Sequence, residues 1–189
     1  MEEKPAREET AIVLDFLPNG YPNDPTPSHR KQAIIQAIGK KHFTLLELTA
    51  KKDSFLQPLE EIYLGEGKRD KVQHIVGKLD ADKLTASGRK EVEFVVQDMV
   101  QKGQERFVSF FNTAQPLTTR MHQLELLPGL GKKHMWAIIQ ERDDKEFANF
   151  ADLRQRVHLM PDPEKIVVKR VLSELWGDEK HNVFVNSPE

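Results

Sequence analysis

Apolar side chains along this chain follow two different periods, and the change falls near residue 70. Before it, apolar runs of strand length are separated by stretches rich in proline, glycine, asparagine and lysine. Beyond it, apolar residues recur three and four positions apart, which places them on one face of a helix. The pattern predicts an α+β protein with a β-rich N-terminal part and an all-helical part after it.

Short candidate strands follow one another closely in the N-terminal part. Residues 11–17, 32–39 and 42–50 each have strand length, and a lysine pair forms a tight hairpin between the last two. A proline-interrupted turn and a further strand follow at 55–67. Short strands this close together predict a small curled sheet, and we expect an OB-like β-barrel.

The helical part begins with two amphipathic stretches, residues 91–101 and 105–114. Three aromatic side chains of the second stretch recur at helical spacing, and a core role is the simplest interpretation of them: Phe107, Phe110 and Phe111. Both stretches are therefore expected to pack as helices.

Two later helices have clear N-terminal signals. Asn149 stands three residues before an aspartate, as in a capping box, and Asp162 precedes Pro163, which suits the first position of a helix. The chain beyond residue 117 therefore divides into two helix–turn–helix units, 118–141 and 149–175, which form a weak internal duplication.

The stretch ELLPGLGKKHMWAII, residues 125–139, ends one helix and begins the next with only a glycine turn between them. Glycines let a phosphate approach the backbone, and a helix start offers unpaired N–H groups with a partial positive charge. This pattern is typical of a helix-hairpin-helix, which binds phosphate backbones without reading sequence. A purely structural corner between helices is the alternative. The candidate binding residues are Gly129, Leu130, Gly131, Lys132 and Lys133.

Other basic residues extend this candidate footprint. The second unit has HLMPDP in place of the glycine turn, so basic side chains rather than backbone amides are its candidate ligands, with a structural role equally open. They are Arg154, Arg156, Lys165, Lys169 and Arg170. The candidates in the barrel are Lys40, Lys41, Lys68 and Arg69. Three aromatic residues there suit either base stacking or the core, namely Tyr21, Phe43 and Tyr63.

Composition narrows the classes of function. The 189 residues include no cysteine, which excludes disulfides, thiolate metal sites and cysteine nucleophiles. The acidic N-terminus has no signal-peptide core and no apolar run is long enough to span a bilayer, so we expect a cytoplasmic protein without a membrane partner. Net charge is −2, yet residues 28–78 hold ten basic and six acidic residues, and 118–170 hold ten and eight. Phosphate contacts would thus use local basic patches.

Three stretches together carry a resemblance to a known family: VLDFLPNG, EIYLGEGKRDKV and FFNTAQPLTTRMHQLELLPGLGKK. They resemble the archaeal domain-of-unknown-function family six-five-five, over about residues 10–185. The resemblance implies an OB-like barrel followed by helices with a RuvA-like tandem helix-hairpin-helix. The family's genes tend to sit among those for ribosomal proteins and an rRNA dimethyltransferase, which implies RNA- or ribosome-associated work.

No constellation of residues points to catalysis, and we expect no enzyme. The seven histidines are scattered without metal-ligand spacing, and neither a P-loop nor a nucleophile elbow is present. DNA glycosylases with tandem hairpins have a catalytic aspartate after the hairpin, and Asp143, Asp144 and Asp152 follow it here. Asp152 suits a helix start better, and Asp143 and Asp144 suit a solvated turn. We expect no cofactor, although resemblance to other such hairpins implies a monovalent cation at the Gly129–Gly131 turn.

The sequence thus predicts a non-enzymatic nucleic-acid-binding protein, with RNA favoured over DNA and the ribosome or rRNA-processing factors as candidate partners. Two alternatives remain open: a DNA-binding repair or recombination accessory, and an adaptor that docks on a ribosomal or transcription protein. The predicted layout is a flexible acidic tail at 1–9, the OB-like barrel at 10–80, connecting helices at 81–117, the tandem helix-hairpin-helix domain at 118–177 and a polar C-terminal tail at 178–189.

Overall fold

The structure is a computed structural model that describes residues 7–186 of the chain. The chain forms two compact units. One comprises the chain up to Val95 together with the segment from Ser173 onward, and the other comprises Val96–Leu172. Most of the predicted acidic tail and the last three residues of the predicted C-terminal tail lie outside the described residues.

Five antiparallel strands form one curled sheet in the first unit, in the spatial order β4–β1–β2–β3–β5. The strands are β1 Thr10–Leu17, β2 Ile34–Gly39, β3 Leu45–Ala50, β4 Glu61–Tyr63 and β5 Val72–Lys78. Among the described residues no ladder joins the edge strands β4 and β5, so the sheet is an open half-barrel instead of a closed barrel. The predicted α+β class and the curled sheet are confirmed.

Alternate residues of the strands line one buried face of the sheet, as the two-residue period of a strand requires. They include Ala11, Val13, Ile35, Ala37, Leu46 and Leu48. A bulge between Val13 and Asp15 shifts the register of β1 against β2, and Leu14 is buried beside it. The apolar runs of the sequence therefore form the core of the half-barrel.

A polar cluster on the opposite face of β2 and β3 holds the proline-rich loop against the sheet. The buried Gln36 side chain donates to Tyr21 Oη at 3.2 Å and to the carbonyl of Lys83 at 3.0 Å, and it accepts the amide of Thr85 at 2.9 Å. Tyr21 donates to the Glu47 carboxylate at 2.6 Å. Burial and this carboxylate raise the pKa of Tyr21 to about 12. Tyr21 thus has a structural role in this cluster.

Glu8 fixes the turn between β2 and β3. Its buried carboxylate accepts hydrogen bonds from the amides of Lys41 at 2.9 Å, His42 at 2.8 Å and Thr44 at 3.3 Å. A Cβ atom on Gly39 would lie 2.0 Å from the Glu8 carboxyl carbon, so this close approach requires glycine. Glu8 belonged to the predicted flexible tail, but these three amides hold it in place.

Five α-helices occur among the described residues: α1 Ala86–Lys102, α2 Gln104–Thr113, α3 Lys132–Asp144, α4 Phe150–Arg156 and α5 Pro163–Trp176. Phe107 and Phe111 are buried as predicted, and the half-buried Phe110 packs edge-on against Phe111 with ring centroids 6.0 Å apart. The predicted N-cap of α4 is confirmed, because Asn149 Oδ1 accepts the amide of Asp152 at 2.8 Å.

The helix expected before the glycine turn is a single 3-10 turn, Gln123–Leu126. Its length has a local cause. Leu127 precedes a proline and has an extended backbone with ψ 136°, because the proline ring disfavours the helical region for the residue before it. The segment before the glycine turn is therefore shorter than the helix that the sequence predicts.

The end of α5 organises the C-terminal segment. The buried Glu174 carboxylate accepts the amides of Val183 at 2.7 Å, Phe184 at 3.0 Å and Val185 at 2.8 Å, and Phe184 and Val185 are buried. Residues 178–186 form no strand, yet they are fixed to the first unit. The predicted polar tail thus contains two core residues, Phe184 and Val185.

Candidate nucleic-acid interface

The glycine turn before α3 is fixed to the core at both ends. Leu127 and Leu130 are buried, and the amide of Leu130 donates to the carbonyl of Leu127 at 3.3 Å. Gly129 has φ +79°, a conformation that strains any residue with a side chain, and a Cβ there would lie 3.4 Å from Pro161 Cγ. A Cβ on Gly131 would meet nothing within 4 Å. Gly129 is thus needed for the turn, and Gly131 leaves open space.

Helix α3 begins at this open space with unpartnered backbone amides. Its first intrahelical hydrogen bond runs from Met135 N–H to the carbonyl of Gly131 at 3.0 Å. Among the described residues, no hydrogen bond uses the N–H of Lys132, Lys133 or His134. A helix start of this kind favours an anion, because the amides and the helix dipole both present positive charge.

The two lysines at this helix start differ in their surroundings. Lys132 Nζ donates to the carbonyl of Arg120 at 3.1 Å and lies 3.8 Å from the Glu125 carboxylate. Lys133 is exposed and forms no ion pair with any described residue. Lys133 is therefore available to an incoming anion, whereas Lys132 also ties the turn to the loop that carries Arg120.

His134 connects two turns of the compact unit Val96–Leu172, here called the helical unit: the glycine turn before α3 and a second turn between α4 and α5. Its Nδ1 accepts the amide of Gly131 at 3.3 Å, so the proton lies on Nε2, which donates to the carbonyl of Leu159 at 3.1 Å. Leu159 belongs to the turn between α4 and α5. The backbone of the second turn is thus held in a fixed position beside the first.

His122 caps the 3-10 turn that precedes the glycine turn. Its Nδ1 accepts the amide of Leu124 at 3.1 Å, and the Glu125 carboxylate accepts the amide of His122 at 2.9 Å. Burial, and then the positive charge of Arg142, lower the pKa of His122, while Glu125 opposes them. The neutral imidazole is therefore the form that supports this turn.

We expect the H122N variant to flatten the dependence of stability on pH below neutrality. Because the folded pKa of His122 is lowered from 6.5, the unfolded chain binds the proton more readily, and stability falls as pH drops from about 7 through that range. One such proton accounts for at most about 1.4 kcal/mol per pH unit. Urea unfolding at several pH values measures the slope, and H29N, at an exposed histidine, should keep it. An unchanged slope in H122N would contradict the assignment.

The five basic candidates on α4 and α5 differ in whether their side chains already bind groups of the protein. Arg156 donates to the carbonyls of Glu141, Lys145 and Glu146 and stacks over the Phe147 ring, 4.6 Å from its centroid. Arg154 pairs with Asp162 at 3.0 Å. The other candidates are placed as follows: Arg170 is only 4% exposed and donates to the carbonyl of Leu126 at 2.8 Å, whereas Lys165 and Lys169 are exposed, one turn apart on α5.

The arginine candidates thus bind other groups of the protein, whereas the lysines bind none among the described residues. Arg156 and Arg170 hold backbone carbonyls of the helical unit, so we assign them positioning roles instead of the predicted ligand role. Lys165 and Lys169 form no ion pair with the described residues and remain candidates for phosphate contact.

The barrel candidates divide in the same way. Lys40 pairs with Glu61 at 2.9 Å, and Lys41 donates its amide to Glu8. Arg69 Nε donates to the carbonyl of Gly65 at 3.0 Å, which closes the loop after β4. Lys68 is exposed on that loop and has no ion-pair partner among the described residues. Lys68 is thus an exposed cation on the loop after β4.

The predicted aromatic candidates do not form a stacking surface in the sheet. Phe43 is 1% exposed and therefore belongs to the core. Tyr63 is covered in part by its own loop, because its hydroxyl accepts the amide of Gly67 at 3.2 Å and would lie 2.2 Å from a Cβ on Gly65.

Trp136 on α3 is a candidate that the sequence analysis missed. It is 64% exposed and stands one turn after Lys132 and Lys133, so it shares their side of the helix. The available signal was its position off the apolar stripe, which Met135 and Ile138 continue into the core. An exposed tryptophan beside a basic helix start suits stacking on a base.

The described residues contain no cluster of three or more metal-ligating side chains, and none of their helices has the length and apolar character needed to cross a membrane. Asp152 accepts the amide of Ala148 at 3.0 Å and pairs with Arg156, and both contacts lower its pKa while burial opposes them. Asp152 is therefore an ionised helix-start residue.

The half-barrel sheet and the helical unit with its glycine turn define a two-unit α+β protein. The model of the family described as protein of unknown function (DUF655) matches residues 7–186, and the chain belongs to this family. The resemblance inferred from the three sequence stretches is confirmed.

Two relatives extend this comparison. Uncharacterized protein MJ0038 of Methanocaldococcus jannaschii is 39% identical over 185 residues, which cover 97% of this chain and 82% of that protein. The crystal structure of Af1531 from Archaeoglobus fulgidus, a member of the same family, superposes with a TM-score of 0.84 at 41% identity, covering 94% of this chain and 99% of that one. Both organisms are archaea, and the family's fold is that of this chain.

Proposed function

We propose that this protein binds nucleic acid without catalysing a reaction, and that it holds the phosphate backbone of RNA at the glycine turn before α3. The observation that carries the proposal is the set of three amides at Lys132, Lys133 and His134 that have no hydrogen-bond acceptor among the described residues, next to Gly131, where a Cβ atom would meet nothing within 4 Å. A phosphate oxygen accepts such hydrogen bonds, and the exposed Lys133 ammonium adds charge at the same place.

A tandem helix-hairpin-helix and an OB-like barrel are part of this proposal. The first motif is the 3-10 turn, the glycine turn and α3, and the second is α4, its turn and α5. The hydrogen bond from His134 to Leu159 supports treating the two turns as one unit. The strand order, with β4 beside β1 and β5 beside β3, supports an OB-like sheet.

We favour RNA over DNA because of Trp136. Sequence-tolerant binding of single strands combines a basic path with aromatic side chains on which bases stack, and unpaired bases are common in folded RNA. Lys165 and Lys169 supply further exposed charge in the same unit. Most contacts would be to phosphate, so binding should depend on shape and salt more than on sequence.

The implied monovalent cation finds a weak donor set at the turn. The carbonyl of Gly131 already accepts the amide of Met135, and the carbonyl of Leu126 already accepts the Arg170 guanidinium at 2.8 Å. A second positive charge close to that guanidinium is electrostatically unfavourable. The residues therefore do not fit a resident cation well, and the proposal does not use one.

The G131D variant tests the proposal with little risk to the fold. Position 131 has an extended backbone and open space, and aspartate is a good N-cap residue, so the helix should be preserved. Its carboxylate would occupy the anion position, and we expect affinity for a structured RNA to fall at least about tenfold. Fluorescence anisotropy across a range of salt concentrations measures this, and G131A, which adds no charge, should bind within about threefold of the wild type.

The same titrations separate the alternatives. For a phosphate grip, log affinity should fall by about 0.7 per log unit of salt for each phosphate neutralised on a single strand. Tighter binding to duplex DNA than to RNA would favour the DNA-repair or recombination alternative. Salt-independent binding, or equal binding by G131D and G131A, would contradict the phosphate grip. If neither the wild type nor a variant binds nucleic acid, the glycine turn is a structural corner and the protein-adaptor alternative is favoured.

A further inference from the structure

Leu159 is a leucine presented almost entirely to solvent. Its side chain is 96% exposed, and its backbone is left-handed with φ +62°. Both features are unfavourable for leucine, since the left-handed region strains side chains with a Cβ and exposure wastes apolar surface. The stability of the fold does not explain a strained and exposed leucine, and contact with a ligand would explain it.

The turn that carries Leu159 is nevertheless held firmly. Its carbonyl accepts His134 Nε2 at 3.1 Å, and the following Pro161 lies against Gly129. Asp162 pairs with Arg154 at 3.0 Å and also accepts the amide of Glu164 at 3.0 Å at the start of α5. The leucine is thus presented by a fixed turn, so little conformational entropy is lost when a ligand covers it.

Leu159 also lies close to the proposed phosphate position. His134 spans the gap between the Gly131 amide and the Leu159 carbonyl with one hydrogen bond on each ring nitrogen. Two hydrogen bonds and an imidazole ring place these backbone atoms no more than about 9 Å apart. Successive charges along one strand of a duplex are about 3.4 Å apart along its axis, so the leucine would meet the nucleic acid within a few nucleotides of the bound phosphate.

We infer that Leu159 is an apolar wedge that enters the base stack of an RNA held at the glycine turn, and that the preferred RNA is a helix interrupted by unpaired nucleotides. This inference rests on the proposed function. Apolar side chains inserted between base steps are a known device of nucleic-acid-binding proteins. The side chain of leucine has no hydrogen-bonding group, so it would read whether a step is open and not which bases form it.

The preference for an interrupted helix follows from magnitudes. Burying one leucine side chain is worth about 10- to 100-fold in affinity. Unstacking a paired step costs about as much or more, whereas a step that is already unpaired costs least. One leucine therefore gains little on a continuous duplex and most of its full value at a bulge or a helix–loop junction.

The L159N variant tests the wedge. Asparagine tolerates a left-handed backbone, so the variant should fold while losing the apolar side chain. The matched control is L59N, because Leu59 is also exposed and left-handed, with φ +70°, but belongs to the first unit. The probes are a fully paired RNA hairpin and the same hairpin with a two-nucleotide bulge beside a 2-aminopurine.

We expect the wild type and L59N to bind the bulged hairpin about tenfold more tightly than the paired one and to change the 2-aminopurine fluorescence. L159N should lose this preference and the fluorescence change, while it keeps the affinity for the paired hairpin and the salt dependence. Salt-sensitive binding with no difference between L159N and L59N would overturn the wedge and leave the phosphate grip standing. If neither hairpin is bound by the wild type, the proposed function itself fails, and the wedge with it.

Discussion

Replacing Glu174 by alanine is expected to lower the free energy of unfolding by about 3–5 kcal/mol. The buried carboxylate accepts three backbone amides of the C-terminal segment, at Val183, Phe184 and Val185. Hydrogen bonds to a charged acceptor are stronger than neutral ones, and buried amides left without a partner carry their full desolvation cost. E174Q should lose less, because its amide oxygen still accepts two of the three bonds.

Guanidinium unfolding, followed by circular dichroism, measures this loss, with E93A as the control. Glu93 is exposed on α1 in the same unit and has no hydrogen bond or ion pair among those of the described residues. We expect E93A to remain within about 0.5 kcal/mol of the wild type. If E174A were as stable as E93A, the three hydrogen bonds would not hold the C-terminal segment as described.

Local signals in the sequence were enough to predict most elements of the fold. The change of period separates the sheet from the helices, and the cap at Asn149 marks the start of α4. Pro128 explains the short 3-10 turn, and that effect was also readable, since the residue before a proline avoids the helical region. These features depend on residues that are near each other in the chain.

The features that shape the candidate site depend on distant residues, and for this reason the sequence did not predict them. His134 meets Leu159 across 25 residues, Arg170 meets Leu126 across 44, and Glu8 meets His42 across 34. A basic or acidic side chain in a sequence carries no sign of which backbone group it will bind. Arg170 was therefore expected to face a phosphate, although its guanidinium is used inside the protein.

Leu159 illustrates the same limit from the opposite side. In the sequence it stands in HLMPDP, where the pattern gives no sign that its side chain is exposed. Its exposure and its positive φ are seen only in the structure, where His134 contacts this turn and Pro161 lies against Gly129. This turn has no glycines, so the sequence argued against phosphate binding by its backbone amides. In the structure the same turn exposes the side chain of Leu159.

The R170M variant is expected to lose about 2–4 kcal/mol of stability and, with it, affinity for RNA. Arg170 is buried on α5, and its guanidinium donates to the carbonyl of Leu126 at 2.8 Å, three residues before Gly129. Methionine fills similar space but donates nothing, so that carbonyl loses a charge-assisted hydrogen bond. The glycine turn would then be held less firmly, and the amides at the start of α3 would be less well positioned for a phosphate.

The neighbouring K169M variant is expected to change the salt dependence of RNA binding and not the stability. The comparison with R170M therefore separates a residue that contacts phosphate from one that positions the glycine turn. Lys169 is exposed on the same helix, and its loss should leave stability within about 0.5 kcal/mol of the wild type. If Lys169 contacts phosphate, the salt slope of RNA binding should decrease by about one phosphate's share, or about 0.7. R170M, measured at a temperature where it is fully folded, should keep the wild-type slope and bind more weakly at every salt concentration. A reduced slope in R170M would instead mean that the buried guanidinium reaches the nucleic acid, which contradicts the positioning role.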